Sequence, residues 1–167
     1  MKKGIKLEWL YLITAVIFSS VFIFYKLGEN HLIEFDEGIY ALVSKNILVT
    51  NDWFNLQWRL GSPWFDKGPL YLWLTAVSIK FFGLTAFAVR FWSALFGVFG
   101  CLSAFLIGRK LYNYKVGFMA SVVLGSTMGY LNYARLGMLD VPNATLNSLS
   151  LFFLLVALIQ ALQQSRK

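Results

Sequence analysis

The fold of this chain is decided by residues 7–25, LEWLYLITAVIFSSVFIFY, a run with a single charged residue near its start. A helix needs about 20 apolar residues to cross the ~30 Å hydrocarbon core of a bilayer, and this run has that length. The composition agrees, because 58% of the 167 residues are hydrophobic, above the roughly 45–50% of soluble domains. The sequence therefore predicts an all-α polytopic membrane protein.

Three further apolar segments, about residues 88–108, 116–133 and 143–162, have the length of a membrane span. A fifth apolar segment, residues 69–82, would reach only ~21 Å as a helix, which is too short to cross. The sequence thus predicts one membrane domain over residues 1–167, with four transmembrane helices and a long external loop at about 26–87. Within that loop, apolar residues at near-helical spacing predict an amphipathic juxtamembrane helix over 37–49, lying on the membrane.

The distribution of charge predicts which way these spans run. With four spans, seven of the eight acidic residues fall on the external side, and eight of the fifteen cations fall in short cytoplasmic pieces. This follows the positive-inside rule, so we expect both termini to be cytoplasmic in a bacterial inner (plasma) membrane. The net charge of +7 then reflects membrane boundaries, and no nucleic-acid partner is expected. The eight cytoplasmic cations are Lys2, Lys3, Lys6, Arg109, Lys110, Lys115, Arg166 and Lys167.

An acidic pair follows the first span in the stretch FDEG, residues 35–38. Two adjacent carboxylates raise the proton affinity of at least one of them, which suits a general base. The alternative is that Asp36 and Glu37 only cap the start of the helix over 37–49, where negative charge is favoured. The two readings are compatible.

A second charged motif is WFDKGPL, residues 64–70. Lys67, just before a helix that begins near Pro69, indicates a phosphate site made of a cation and backbone N–H groups. The alternative is an exposed pair between Asp66 and Lys67 at a loop–helix junction.

A third motif, YARLGMLDVP at residues 133–142, places Arg135 and Asp140 between two spans. Ionisable residues near lipid are costly and usually face a cavity or a partner. The alternative is that Arg135 reaches to the interface and Asp140 caps a helix. Two other external cations, Arg59 and Arg90, are candidates for steering an anionic lipid headgroup or for anchoring the chain at the interface.

These three motifs, together with VRFWSALFG at residues 89–97, resemble the GT-C glycosyltransferases over roughly residues 34–160. The nearest branch is the bacterial protein-mannosyltransferase-like and aminoarabinose-transferase-like group. The resemblance implies transfer of a sugar from a polyprenyl-phosphate carrier at the external face, usually with inversion. It implies that Asp36 is the essential acid of the first external loop and Glu37 its companion. It further implies that Lys67 binds the lipid phosphate, that Asp140 is a second acid, and that Arg135 is a basic residue near it.

The resemblance also raises a divalent metal as a cofactor. Asp66 stands where relatives often have a glutamate that in some cases binds metal, but the second half of the sequence has no histidine to complete a site. Family members continue beyond the point that corresponds to Lys167, so we expect this chain to be the N-terminal part of a catalytic module.

The leading hypothesis is therefore a glycosyltransferase whose partners are a polyprenyl-phosphate-linked sugar, an acceptor (lipid, glycan or protein) and membrane lipids. One alternative is a small four-span carrier or flippase for lipid-linked sugars. Another is an inactive or split half that needs a second chain.

Overall fold

The computed structural model describes residues 2–33 and 35–164, and their side chains from residue 6 onward. The side chains of Lys2 and Lys3, and all of Glu34, Arg166 and Lys167, lie outside the described residues. The all-α fold is confirmed, and a two-stranded antiparallel hairpin interrupts the helices. The elements are α1 (Lys2–Phe24), α2 (Asp36–Thr50), β1 (Gln57–Arg59), β2 (Ser62–Pro63), α3 (Pro69–Phe82), α4 (Ala86–Leu111), α5 (Tyr114–Ser126), α6 (Met128–Ala134) and α7 (Asp140–Gln164).

Three helices in the described part of the chain are long and apolar enough to cross a membrane: α1 from residue 6, α4 and α7. The expected continuous helix at 116–133 is instead divided, because α5 ends at Ser126 and α6 begins at Met128. Thr127 between them leaves the helical conformation, with ψ at 122°. The hydroxyls of Ser126 and Thr127 both donate to the carbonyl of Val123. Such hydroxyl–backbone bonds bend helices, which accounts for the break.

Helices α5 and α6 together still return the chain across the bundle. At one end, Glu8 at the start of α1 forms an ion pair with Arg109 at the end of α4. At the other end, Arg90 near the start of α4 donates to the carbonyl of Leu27, just after α1. Arg135, which follows α6, also lies at that second end, where it donates to the carbonyl of Tyr25. The segments that follow α1 and α6 and precede α4 and α7 therefore meet at one end of the bundle.

Helix α4 is the centre of this bundle. Its Gly108 crosses Gly117 of α5 so closely that a Cβ atom on Gly108 would lie 2.8 Å from the Cα atom of Gly117. Helices α6 and α7 are tied to α4 by hydrogen bonds, from the Tyr130 hydroxyl to the Gly97 carbonyl (2.8 Å) and from the Thr145 hydroxyl to the Phe96 carbonyl (2.9 Å). These contacts hold the N-terminal part of α7 against α4.

The long loop folds into a layer of its own over one end of the bundle. Helices α2 and α3 have nearly the bounds that the sequence predicts. Helix α2 packs its apolar face on α3. The Ser44 hydroxyl donates to the Leu72 carbonyl (3.1 Å), and the Asn46 amide donates to two carbonyls of β1. The apolar core between them consists of Tyr40, Val43, Ile47, Leu56, Trp64, Tyr71, Leu72 and Ala76.

Candidate functional site: a cleft between three segments

A cleft of about 330 Å³ opens at the end of the bundle where the loop layer meets α7. Asp36 enters it from the first turn of α2, Lys67 from the loop before α3, and Asp140 from the first turn of α7. Three of the residues predicted from the sequence are thus brought together from distant parts of the chain. The other end of the cleft is apolar and includes Leu74, Phe96 and Leu146.

The carboxylate of Asp36 is open to this cleft. Helix α2 begins at Asp36, and its N-terminus has no side-chain hydrogen bond as a cap. Phe35, just before it, has φ at 75° and ψ at −126°, a backbone conformation that turns the chain sharply into the helix. Within the described residues, no hydrogen bond or ion pair reaches the carboxylates of Asp36 and Asp140 or the ammonium of Lys67. These groups are therefore available to a ligand, and side-chain capping by Asp36 is not what the structure shows.

Two tyrosines and an asparagine that sequence reasoning missed also line the cleft. Tyr40 follows Asp36 by four residues, which is one helical turn, and Asn143 follows Asp140 by three. This spacing was the available signal, because residues three or four apart share a helix face. Burial raises the pKa of Tyr40 to about 12, with further contributions from the negative charges of Asp36 and Asp140. The Tyr40 hydroxyl therefore stays protonated at neutral pH and can donate to a ligand. Burial likewise raises the pKa of Tyr71, the second tyrosine.

Glu37 is turned away from the cleft and is fully buried. Its Oε1 accepts from the Nε of Arg90 and from the backbone N–H of Gly137, both at 2.7 Å. Its Oε2 accepts from Nη2 of Arg90 at 3.0 Å and from the backbone N–H of Ile33 at 2.7 Å. Burial by itself raises the pKa of this carboxyl, but these hydrogen bonds hold the pKa below its ordinary value. Glu37 is thus held as a buried carboxylate outside the cleft lining, and its catalytic role stays a prediction from the sequence.

Arg90 is equally committed. It makes five hydrogen bonds: two to Glu37, and one each to the backbone carbonyls of Leu27, Asn30 and His31. With a side-chain exposure of 5% and its donors occupied, it is held within the protein. We call the Glu37–Arg90 pair with its backbone partners the buried node. It joins the segment after α1, the start of α2, the start of α4 and the segment before α7.

The remaining predicted site residues lie outside the cleft. Arg135 donates to the carbonyls of Phe22 (3.0 Å) and Tyr25 (2.7 Å), so it sits at the C-terminal end of α1. Arg59 is exposed on β1, with its guanidinium 5.0 Å from the ring centroid of Trp58. Asp66 is exposed beside Lys67 without an ion pair between them in the described structure. The cleft therefore does not gather these three residues.

Asp66 is the candidate metal ligand that the sequence suggests. The described part of the chain contains no group of three or more histidine, cysteine, aspartate or glutamate residues placed to hold an ion. The structure therefore adds no protein ligands to Asp66 among the described residues.

Comparison with solved structures identifies the fold as that of the N-terminal part of a GT-C superfamily membrane glycosyltransferase. Residues 66–165 match the model of the dolichyl-phosphate-mannose-protein mannosyltransferase family. The match covers more than half of the chain, and this chain belongs to that family. The resemblance seen in its motifs is thereby confirmed.

Individual relatives extend this assignment. Over 130 residues the chain is 28% identical to an uncharacterized protein of Aquifex aeolicus (strain VF5), covering 77% of this chain and 26% of that one. Over 112 residues it is 30% identical to undecaprenyl phosphate-alpha-4-amino-4-deoxy-L-arabinose arabinosyl transferase of Wigglesworthia glossinidia brevipalpis, covering 67% and 20%. The crystal structure of ArnT from Cupriavidus metallidurans bound to undecaprenyl phosphate superimposes with a TM-score of 0.74 at 25% identity, covering 86% of this chain and 26% of that one. The chain thus spans about a quarter, or less, of the length of these relatives.

Proposed function

We propose that this protein transfers a sugar from a polyprenyl-phosphate donor to an acceptor hydroxyl at one face of the membrane. The observation that carries the proposal is the cleft. It combines an apolar end with two carboxylates and a lysine that have no partner in the described structure. A solved relative is bound to undecaprenyl phosphate, and a curated relative is named for a sugar on that carrier. Both support a lipid-phosphate donor for this chain.

The proposed reaction uses the cleft residues in separate roles. Asp36 accepts the proton of the acceptor hydroxyl as its oxygen attacks the anomeric carbon of the sugar. The bond between that carbon and the phosphate oxygen breaks, and the polyprenyl phosphate leaves with the bonding electrons. Lys67 stabilises the negative charge that develops on the phosphate. Asp140 and the Tyr40 hydroxyl orient the sugar and the acceptor, since well-aligned reactants react much faster.

The apolar end of the cleft suits the lipid part of such a donor. Leu74 of α3, Phe96 of α4 and Leu146 of α7 line it, and α4 and α7 are both span candidates. An isoprenoid chain that enters at this apolar end passes directly from the bilayer to the charged residues of the cleft. We further propose, from the charge distribution of the sequence, that this face is external and that the protein lies in a bacterial inner membrane with cytoplasmic termini.

The test is transfer by the protein as expressed from its gene, in membranes supplied with undecaprenyl phosphate carrying aminoarabinose or mannose. Asp36→Asn is expected to lower transfer by about 10²–10⁴-fold, the range for loss of a general base. Glu29→Gln is the matched control, because it also removes one carboxylate and affects only an exposed ion pair with Lys26. Near-normal transfer by Asp36→Asn would contradict the role of Asp36. Movement of the sugar lipid across vesicles without any transfer product would instead indicate a carrier.

A further inference from the structure

A second concave surface lies on the other side of the buried node from the cleft, and we call it the α1–α6 groove. It consists of two adjoining hollows of about 450 and 440 Å³ that share Asn30, Asn132 and Arg135. None of the residues that line it lines the cleft. The sequence analysis singled out Arg135, but the reaction proposed above does not use it, so the groove needs a separate explanation.

The upper part of the groove is cationic. Lys26, Arg90 and Arg135 contribute to its lining, and among the described residues no acid does so. The charge of Arg90 is balanced by Glu37 behind the wall, which leaves Lys26 and Arg135 to set the potential. Lys26 has an exposed ion pair with Glu29 at 2.8 Å, and exposed pairs of this kind contribute little. The ammonium of Lys26 can therefore exchange Glu29 for another anion.

Arg135 is held in place by two hydrogen bonds that leave its other N–H donors available in the described structure. Two of its N–H groups donate to the carbonyls of Phe22 and Tyr25, which orients the guanidinium at the negative end of the α1 dipole. Its remaining N–H donors have no partner in the described structure. A guanidinium with free donors matches the geometry of a phosphate group.

The lower part of the groove is mainly apolar and is lined in part by a candidate membrane span. Its wall includes Val21 and Phe22 of α1 on one side, and Met128 and Leu131 of α6 on the other. Val21 and Phe22 lie within the first membrane span, and Met128 is 71% exposed. Cations at the edge of a span above an apolar wall have the arrangement that a phospholipid needs, with the phosphate at the interface and an acyl chain below.

We propose that the α1–α6 groove binds an anionic phospholipid of the surrounding bilayer. Lys26 and Arg135 hold the headgroup phosphate, and an acyl chain lies between α1 and α6. The lipid bound there covers the junction at which Arg135 holds the end of α1. Arg90, which belongs to the buried node, lines the same groove. The site is separate from the cleft and does not depend on the transfer reaction.

The experiment places the full protein in nanodiscs with equal amounts of phosphatidylcholine and phosphatidylglycerol. Native mass spectrometry then measures the ratio of the two lipids retained by the protein. The wild type is expected to retain phosphatidylglycerol in preference. Lys26→Gln and Arg135→Gln are each expected to reduce that preference about fivefold, the effect of one cation near an anionic lipid surface. Arg135→Lys, which keeps the charge, is expected to retain most of it.

Two controls distinguish the groove from other cationic surfaces. Lys80→Gln removes an exposed cation in the last turn of α3, and Lys45→Gln removes an exposed cation of α2 outside the cleft; both are expected to keep the wild-type preference. Equal retention of the two lipids by the wild type would overturn the proposal. So would a loss with Lys80→Gln or Lys45→Gln as large as that with Lys26→Gln. A loss in Arg135→Gln with none in Lys26→Gln would also overturn it, because that pattern reports damage to the end of α1 and not a headgroup site.

Discussion

Asp36 and Glu37 are neighbours in the chain, yet they occupy opposite environments. The Asp36 carboxylate faces an open cleft and has no partner in the described structure, whereas the Glu37 carboxylate is completely buried and accepts four hydrogen bonds. Asp36 is available for chemistry. Glu37 joins the segments that carry Asp36 and Asp140. An acidic pair that reads as one motif is therefore divided between two environments, and we expect stability and activity to respond differently to changes in each half.

The largest expected effect on stability is from breaking the buried node at Arg90. Arg90→Ala leaves the Glu37 charge buried without its partner, so we expect a loss of about 3–5 kcal/mol in the free energy of unfolding. Thermal or denaturant unfolding in detergent measures it. Lys26→Ala breaks the exposed Lys26–Glu29 pair and should cost no more than about 1 kcal/mol. A similar small loss for Arg90→Ala would show that the node does not hold the fold.

The next effect is steric. A Cβ atom at Gly137 would lie 2.7 Å from Cγ1 of Val89 and 3.3 Å from Cγ of Glu37, so Gly137→Ala forces the node apart. We expect a loss of about 1–3 kcal/mol in stability, the usual cost of overpacking. Gly129→Ala is the matched control, since a Cβ atom there meets nothing within 4 Å. If both variants unfold alike, the close approach at Gly137 is unimportant.

A change in the cleft should give the reverse pattern. Lys67→Gln removes the cation proposed to bind the donor phosphate, and we expect undecaprenyl phosphate to bind about tenfold more weakly, as for loss of one charged hydrogen bond. The free energy of unfolding should change by no more than about 0.5 kcal/mol, because the Lys67 side chain is exposed. Binding by the purified protein and by Lys45→Gln, which removes an exposed cation outside the cleft, tests this. Unchanged affinity for the lipid would separate Lys67 from the donor.

The last effect is a loss of stability that appears only in acid. Burial raises the pKa of Glu37, but hydrogen bonds from Arg90, Ile33 and Gly137 outweigh it and leave the pKa below the ordinary 4.5. A carboxyl whose pKa is lower in the folded state stabilises the fold in its ionised form. That contribution is present above about pH 4.5 and is lost as the pH falls through the folded-state pKa. The stability difference between wild type and Glu37→Gln should therefore shrink on acidification. Unfolding curves at decreasing pH would contradict this if the difference stayed constant.

Local features of the sequence were enough for most elements. Pro69 at the first position of α3 and Gly83 after its last residue bracket that helix, and the sequence predicts its bounds correctly. The break at Thr127 was missed, because hydropathy is uniform across it and the hydroxyl bonds to Val123 appear only in the folded helix. Hydropathy alone reports where a segment is apolar, not whether its backbone stays helical.

The site was predictable only in part, because the sequence shows the charges but not their tertiary contacts. Charge asymmetry was enough to place Asp36, Lys67 and Asp140 at one end of the bundle, and the structure puts them in one cleft. The sequence predicts Arg90 only as a lipid-headgroup residue or an interface anchor, since nothing in it connects Arg90 with Glu37, 53 positions away. Arg135 was expected beside Asp140, but α6 ends where its guanidinium meets the carbonyls of α1.

The sequence by itself determined the membrane-protein class, the helices of the loop and the family, because apolar runs and short motifs are local properties of the chain. It also supplied the residue types that we propose bind a lipid phosphate. Only the tertiary structure decided which of the two adjacent acids is free. Successive residues of an α-helix point about 100° apart, so the packing of α2 against the bundle buries one carboxylate and exposes the other. That choice depends on where α4 brings Arg90 and where the segment before α7 brings Gly137, and both arrive from far along the chain.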